Sequence, residues 1–201
     1  MGAQRTCFVI MGFGRKADPS TGRVLDLDKT YKYIIKPAVV AAGYQCFRAD
    51  EVQSSSVIDV PLYDMLFGAD LVVADLSTSD PNAIFALGVR LALKQRATIT
   101  IAESKFKQLF DASHILVRRY EHLGPDIALD EVLRMREELS NLATALKVDS
   151  TADSPVYLTL PDLQRPTRAR LGTDFGFSDF APQLLSSDDS YAAKLESRAK
   201  Q

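Results

Sequence analysis

A chain of 201 residues, 46% hydrophobic and 25% charged, carries enough apolar side chains for one well-filled core, which excludes an intrinsically disordered protein. Its 24 Lys and Arg against 26 Asp and Glu leave a formal charge of −2, which argues against a dedicated nucleic-acid binder and its usual basic surplus. Two cysteines and two histidines exclude a disulfide framework and form no cluster at metal-ligand spacing. No apolar run reaches the about 18 residues of a membrane span, and the start Met-Gly-Ala-Gln-Arg lacks a signal peptide's apolar region. The expected setting is cytoplasmic and reducing, with no metal, membrane or nucleic-acid partner.

Thr6 to Met11 is a continuous apolar run with the length and β-branched content of a buried strand. It ends in Gly12-Phe13-Gly14, and the polar residues 15–28 read as a loop. Tyr31, Ile34, Ile35, Ala38, Val39 and Ala42 recur at helical spacing; Pro37 should kink or shorten that helix, and Gly43 closes it. Tyr44 to Phe47 reads as a second strand, with the charged run Arg48-Ala-Asp-Glu51 leaving its end. Val57 to Phe67 reads as a helix, and Asp70 to Asp75 as a third strand.

Asp80-Pro81 is a helix start, with an N-capping carboxylate and proline in the first turn, and that helix runs to about Gln95. Residues 97–102 and 115–118 read as further strands, and 130–147 as an amphipathic helix. Strand–helix alternation at this spacing predicts a doubly wound α/β domain: a mainly parallel five-stranded sheet with helices on both faces. The domain is expected over residues 1–160, with 161–201 a linker or the opening of a C-terminal module cut short.

Ligands of open α/β sheets sit beyond the carboxyl ends of the strands. That rule selects Gly12, Phe13, Gly14 and Arg15; then Arg48, Asp50 and Glu51; then Asp75 to Asn82. The glycines either let backbone N–H groups approach a phosphate or ribose, or simply form a tight turn. Asp75 ends an otherwise apolar strand, so its carboxylate either emerges at the sheet rim or caps nearby N–H groups. Asn82, Ala86 and Arg90 lie along one helical stripe. His114 and His122 lack an evident partner, Cys7 and Cys46 read as core residues, and core packing is the expected duty of Tyr31, Phe47 and Phe85, though not of Phe13.

Four motifs, Cys7-Phe-Val-Ile-Met-Gly-Phe-Gly14, Arg48-Ala-Asp-Glu51, Val73-Ala-Asp-Leu-Ser77 and Pro81-Asn-Ala-Ile-Phe-Ala-Leu-Gly-Val-Arg90, resemble bacterial TIR-like domains. The type is the one adjoining the TRAF-binding, TPR-like region of stress-activated kinase kinase kinases. A more distant similarity is to nucleoside 2-deoxyribosyltransferases. The resemblance covers roughly residues 6–160 and implies a flavodoxin-like sheet. It implies an N-glycosidase that cleaves the nicotinamide–ribosyl bond of NAD, a cytoplasmic effector in bacterial stress or phage defence that self-associates when active. NAD is then substrate, and no cofactor is implied.

By the same resemblance Gly12, Phe13, Gly14 and Arg15 hold ribose or phosphate, and Asp75 and Asn82 contact ribose hydroxyls. Arg48, Asp50, Glu51 and Ser77 line the substrate, and Arg90 orients the catalytic carboxylate or binds phosphate. The family's helix motif reads Asn-x-x-aromatic-Glu-Leu-Gly; here Asn82, Phe85, Leu87 and Gly88 agree, but the glutamate position is Ala86. A carboxylate beside the anomeric carbon stabilises or attacks an oxocarbenium-like transition state, and alanine does neither. Either a deliberate Glu→Ala change or a natural loss of catalysis accounts for Ala86, and the intact flanking motif favours the deliberate change.

Two other functions remain open. A nucleoside or nucleotide N-glycosidase must protonate its neutral leaving base, which Asp50 or Glu51 could do. A non-catalytic module would bind a nucleotide or assemble with partners.

Overall fold

The computed structural model describes residues 4–54, 62–107, 115–148 and 151–167. The chain divides into two compact units, Met1–Leu163 and Gln164–Gln201. Of the second only residues 164–167 are described, so the expected linker or module lies mostly outside the described residues.

Five parallel strands form the central sheet: β1 (Thr6–Ile10), β4 (Gln45–Arg48), β5 (Leu71–Asp75), β6 (Thr98–Glu103) and β7 (Val117–Tyr120). Their order is β4-β1-β5-β6-β7, which is the flavodoxin-like order. Cys7 pairs with Cys46 on one side and Leu71 on the other, and Val73 pairs with Ile99, so the expected first and third strands are neighbours deep in the sheet. The last strand begins two residues later than expected.

Alternation along the strands builds two cores. Cys7, Val9, Leu71, Val73, Ile99 and Ile101 face α2 (Lys36–Ala41), α6 (Leu129–Ala145) and the helical turns before α2. Phe8, Ile10, Val72, Ala74 and Ala102 face α4 (Leu62–Gly68) and α5 (Pro81–Leu93). Helices therefore cover both faces, as a parallel sheet requires. The expected helix start at 57–61 lies outside the described residues. After α6, the helical turn α7 (Pro155–Thr159) packs on α5: Ser154 Oγ donates to Leu91 O at 2.7 Å and Tyr157 OH to Ala92 O at 2.9 Å.

Three local readings change. Residues 15–28 are not simply a loop: β2 (Arg15–Ala17) and β3 (Val24–Asp26) pair as an antiparallel hairpin. Its turn is held by the Asp18 carboxylate, which accepts from Ser20 and Thr21, and it is anchored by buried Leu25 and Leu27. Three-residue strands carry too little alternation to be read from sequence. The charged run after β4 is the start of a short helix, α3 (Ala49–Ser54).

The helix containing Pro37 is neither broken nor ended there. One turn, α1 (Leu27–Lys29), leads into a π-helical stretch, Thr30–Ile35, and then into α2. Proline has no N–H to give the carbonyl of Tyr33 four residues earlier. Arg136 Nε of α6 donates to that carbonyl and satisfies it across the interface.

Candidate functional site

The chain leaves β1 toward β4 on one side and reaches β5 on the other, so β1 lies at a topological switch point. A cavity of about 310 Å³ opens there, beyond the strand ends. Phe8, Ile10 and Met11 contribute from β1 and the loop after it, Phe13 and Lys16 from that loop and the hairpin. Asp50 enters from α3, Met65 from α4, and Asp80, Asn82 and Ala86 from the start of α5.

Asp80 fixes the α5 end of this cavity. Its Oδ1 accepts the Asn82 and Ala83 N–H groups at 3.0 and 3.3 Å, the N-cap that Asp-Pro predicts. Its Oδ2 meets Lys16 Nζ at 3.3 Å, tying the hairpin to the helix. Gly12 sits at a close approach: a Cβ would stand 2.9 Å from Leu27 Cδ1, 3.4 Å from Thr78 Oγ1 and 3.5 Å from Asp80 Oδ2, so a larger residue must displace the buried Leu27 side chain. Gly14 has φ +70, which favours glycine, and its N–H donates to Asp28 Oδ1 at 3.0 Å.

Arg48 closes the rim. Its guanidinium grips Asp50 through Nε and Nη2 at 2.6 and 2.7 Å, and Nη1 reaches Asp28 at 2.6 Å. It lies over the Tyr31 ring at 4.5 Å and near Phe13 at 5.9 Å. Burial works against charge on Asp28, but the Gly14 N–H and Arg48 outweigh it and hold that carboxyl below its ordinary range. Glu51 turns away to Tyr31 OH at 2.5 Å and Lys36 Nζ at 2.8 Å. Burial also opposes its charge, yet Lys36 and Tyr31 keep its pKa lowered.

Of the sequence candidates, Phe13, Asp50, Asn82 and Ala86 line the cavity, with Gly12, Gly14 and Arg48 in its frame. Ala86 is buried, at 2% exposure, packed among the apolar residues between α5 and the sheet. Position 86 is thus a buried wall that borders the cavity.

Four other candidates stand elsewhere. Asp75 points to the opposite face, accepting from Ser77 N at 2.9 Å, Ser77 Oγ at 2.5 Å and Tyr120 OH at 2.9 Å. Burial raises its pKa, only partly offset by these donors, so its role is the cap. Ser77 is buried with it and also accepts the Glu103 N–H at 2.8 Å. Arg90 lies toward the other end of the sheet, donating to the carbonyls of Leu66, Ala69 and Ala97 at 2.7, 3.0 and 3.1 Å. Burial pushes its pKa down to about 10, and no phosphate could reach it. Arg15 is exposed on the hairpin, and its neighbour Lys16 faces the cavity.

Sequence reading gave the binding role to Arg15 and not to its neighbour Lys16 because a loop has no alternation; within a strand, adjacent residues face opposite sides. Phe85, expected in the core, is 57% exposed on the outer side of α5, while Tyr31 is buried as expected. His122 is buried: its Nδ1 accepts the Gly124 N–H at 3.0 Å and its Nε2 lies 3.1 Å from Asp26 O. His114 lies outside the described residues. Cys7 and Cys46 are free and buried.

The cavity therefore offers an exposed aromatic ring at 48% exposure, an amide at Asn82, one ammonium at Lys16 and an apolar floor. Both lining carboxylates among the described residues are engaged, Asp50 by Arg48 and Asp80 by the helix end and Lys16. Such a site can hold a flat ring and a sugar, but among the described residues it has no disengaged carboxylate for a cationic transition state. The chain matches no known protein-family model and no curated protein sequence. No described helix is long and apolar enough to cross a membrane.

Proposed function

We propose that this chain is a TIR-like domain of the NAD-cleaving N-glycosidase type, whose switch-point cavity binds NAD or a related ribosyl nucleotide and, carrying Ala86, holds it without cleavage. The observation that carries this reading is that Asn82 and Ala86, one helical turn apart, line the same cavity as Phe13 and Lys16. A glutamate at 86 would bring its carboxylate to the place where a ribosyl carbon would rest between ring and helix. Nicotinamide leaves NAD as a neutral molecule from a cationic ring and needs no proton, so one carboxylate suffices.

The nucleoside-type alternative is less well supported. Asp50 is locked in a bidentate pair with Arg48, and Glu51 is held ionised by Lys36 and Tyr31, so neither is a ready proton donor. A cytoplasmic setting agrees with two unpaired buried cysteines. The defence role and assembly-dependent activity belong to the same proposal and rest on the resemblance alone.

Calorimetric titration of NAD, a nucleoside and a nucleoside monophosphate into the protein tests the binding claim. NAD is expected to bind, and Phe13→Ala to weaken it about tenfold or more through loss of stacking. Saturable binding of nucleosides with none of NAD would transfer the assignment to the nucleoside class.

A further inference from the structure

The switch-point cavity, at about 310 Å³, is small for a whole dinucleotide. One benzene ring fills an apolar cavity of roughly 150 Å³, so this one takes about two bodies of that size, a base and its ribose. The second nucleoside of a dinucleotide then stays outside, and a phosphate carried on the ribose lies at the mouth.

Two cations stand beside the exposed Phe13 ring, Lys16 Nζ and the Arg48 guanidinium, each 5.9 Å from its centroid. Arg48 is committed through all three guanidinium nitrogens, two on Asp50 and one on Asp28. Lys16 is less engaged. Its ammonium carries three N–H donors, and among the described residues it gives one to Asp80 Oδ2, at 3.3 Å. The side chain is 45% exposed and lines the cavity, and pairing of Lys16 with Leu25 across the hairpin fixes where it emerges. Asp28, Asp50 and Asp80 outweigh the two cations they pair with at this rim. A single phosphate can be held there by a direct bond to Lys16, whereas a second would meet net negative charge.

We propose that Lys16 is the phosphate-binding residue of this site, which reads one nucleotide unit of NAD. The nicotinamide ring lies on Phe13, its ribose against Asn82 and the apolar floor, and its 5′-phosphate on the Lys16 ammonium. This rests on the nicotinamide–ribosyl reading of the cavity and narrows it to the mononucleotide half. The ammonium keeps Asp80 while it adds the phosphate, so it screens one anion from the other. The adenosine half contributes little.

Calorimetric titration of nicotinamide riboside, nicotinamide mononucleotide and NAD, with uridine and uridine monophosphate as a second pair, into the protein and into Lys16→Gln tests this. The mononucleotide is expected to bind about tenfold or more tighter than the riboside, with NAD within about threefold of the mononucleotide. Lys16→Gln should bring both down to the riboside, whose own affinity stays within about twofold, and Lys16→Arg should restore part of the difference. Equal binding of riboside and mononucleotide by the unaltered protein would overturn the proposal. So would an equal weakening of all three by Lys16→Gln, or NAD binding more than about tenfold tighter than the mononucleotide. Binding of the uridine pair alone, with the phosphate advantage lost in Lys16→Gln, would remove the nicotinamide reading and uphold the role of Lys16. No binding of any probe up to about 10 mM would overturn both.

Discussion

Lys16 Nζ and Asp80 Oδ2 lie 3.3 Å apart, joining the hairpin after the first strand to the N-cap of α5 across the cavity mouth. Two crossover loops far apart in sequence are thereby made into one frame around a cavity that Phe13, Asn82 and Ala86 all line.

The two members of this pair should not be equal. Asp80→Ala removes the cap of a 13-residue helix and should cost about 1 kcal/mol. Lys16→Ala removes only a half-exposed partner and should cost less than about 0.5 kcal/mol. Urea unfolding of both variants measures this, and equal losses would mean that the ion pair, not the cap, holds the mouth together.

Arg90→Met strands the buried carbonyls of Leu66 and Ala69 and leaves that of Ala97 with its bond from the Val72 N–H. At about 1–3 kcal/mol for each unsatisfied group, the loss should be about 2 kcal/mol or more in denaturant unfolding. The folded fraction should bind NAD as the unaltered protein does. A fall in affinity with unchanged stability would instead restore the phosphate-binding role that sequence reading gave this residue.

Burial lowers the pKa of His122, chiefly by desolvating the charged ring, and Nδ1 accepts a hydrogen bond that protonation would break. The unfolded chain therefore takes up a proton first, near its ordinary pKa of about 6.5. Above that value the contribution is fully present; as pH falls below it toward the lowered folded value, stability is lost. Asp28, Glu51 and Glu131 have lowered pKa values too, but their losses begin nearer the carboxylate range. Unfolding free energies between pH 7 and pH 5 should thus decline in the parent and stay flatter in His122→Gln.

The inner strands β1 and β5 were legible because they are nearly continuous apolar runs, the pattern of strands buried on both faces. Asn82 and Ala86 were legible for a related reason: Asp80-Pro81 fixes the helix start and helical spacing fixes the face. Asp75 and Ser77 were misplaced because position along a strand gives the rim but not the face; Tyr120, 45 residues on, draws the carboxylate to the far side. Arg90 shares a stripe with Ala86, yet its long side chain reaches the opposite end of the sheet, which spacing of Cα atoms does not reveal. Lys16 depended on a hairpin whose strands are three residues long.

The central claim is that position 86 is where the cavity lacks a carboxylate. A glutamate there enters a buried wall, so Ala86→Glu should remain folded but lose about 1–3 kcal/mol of stability. Chromatographic assay of nicotinamide release from NAD by Ala86→Glu, Ala86→Gln and the unaltered protein, at matched folded concentration, is the direct measurement. Release by the glutamate variant alone, about a thousandfold or more above the other two, is the predicted result. A folded, NAD-binding Ala86→Glu protein that releases no nicotinamide would contradict it.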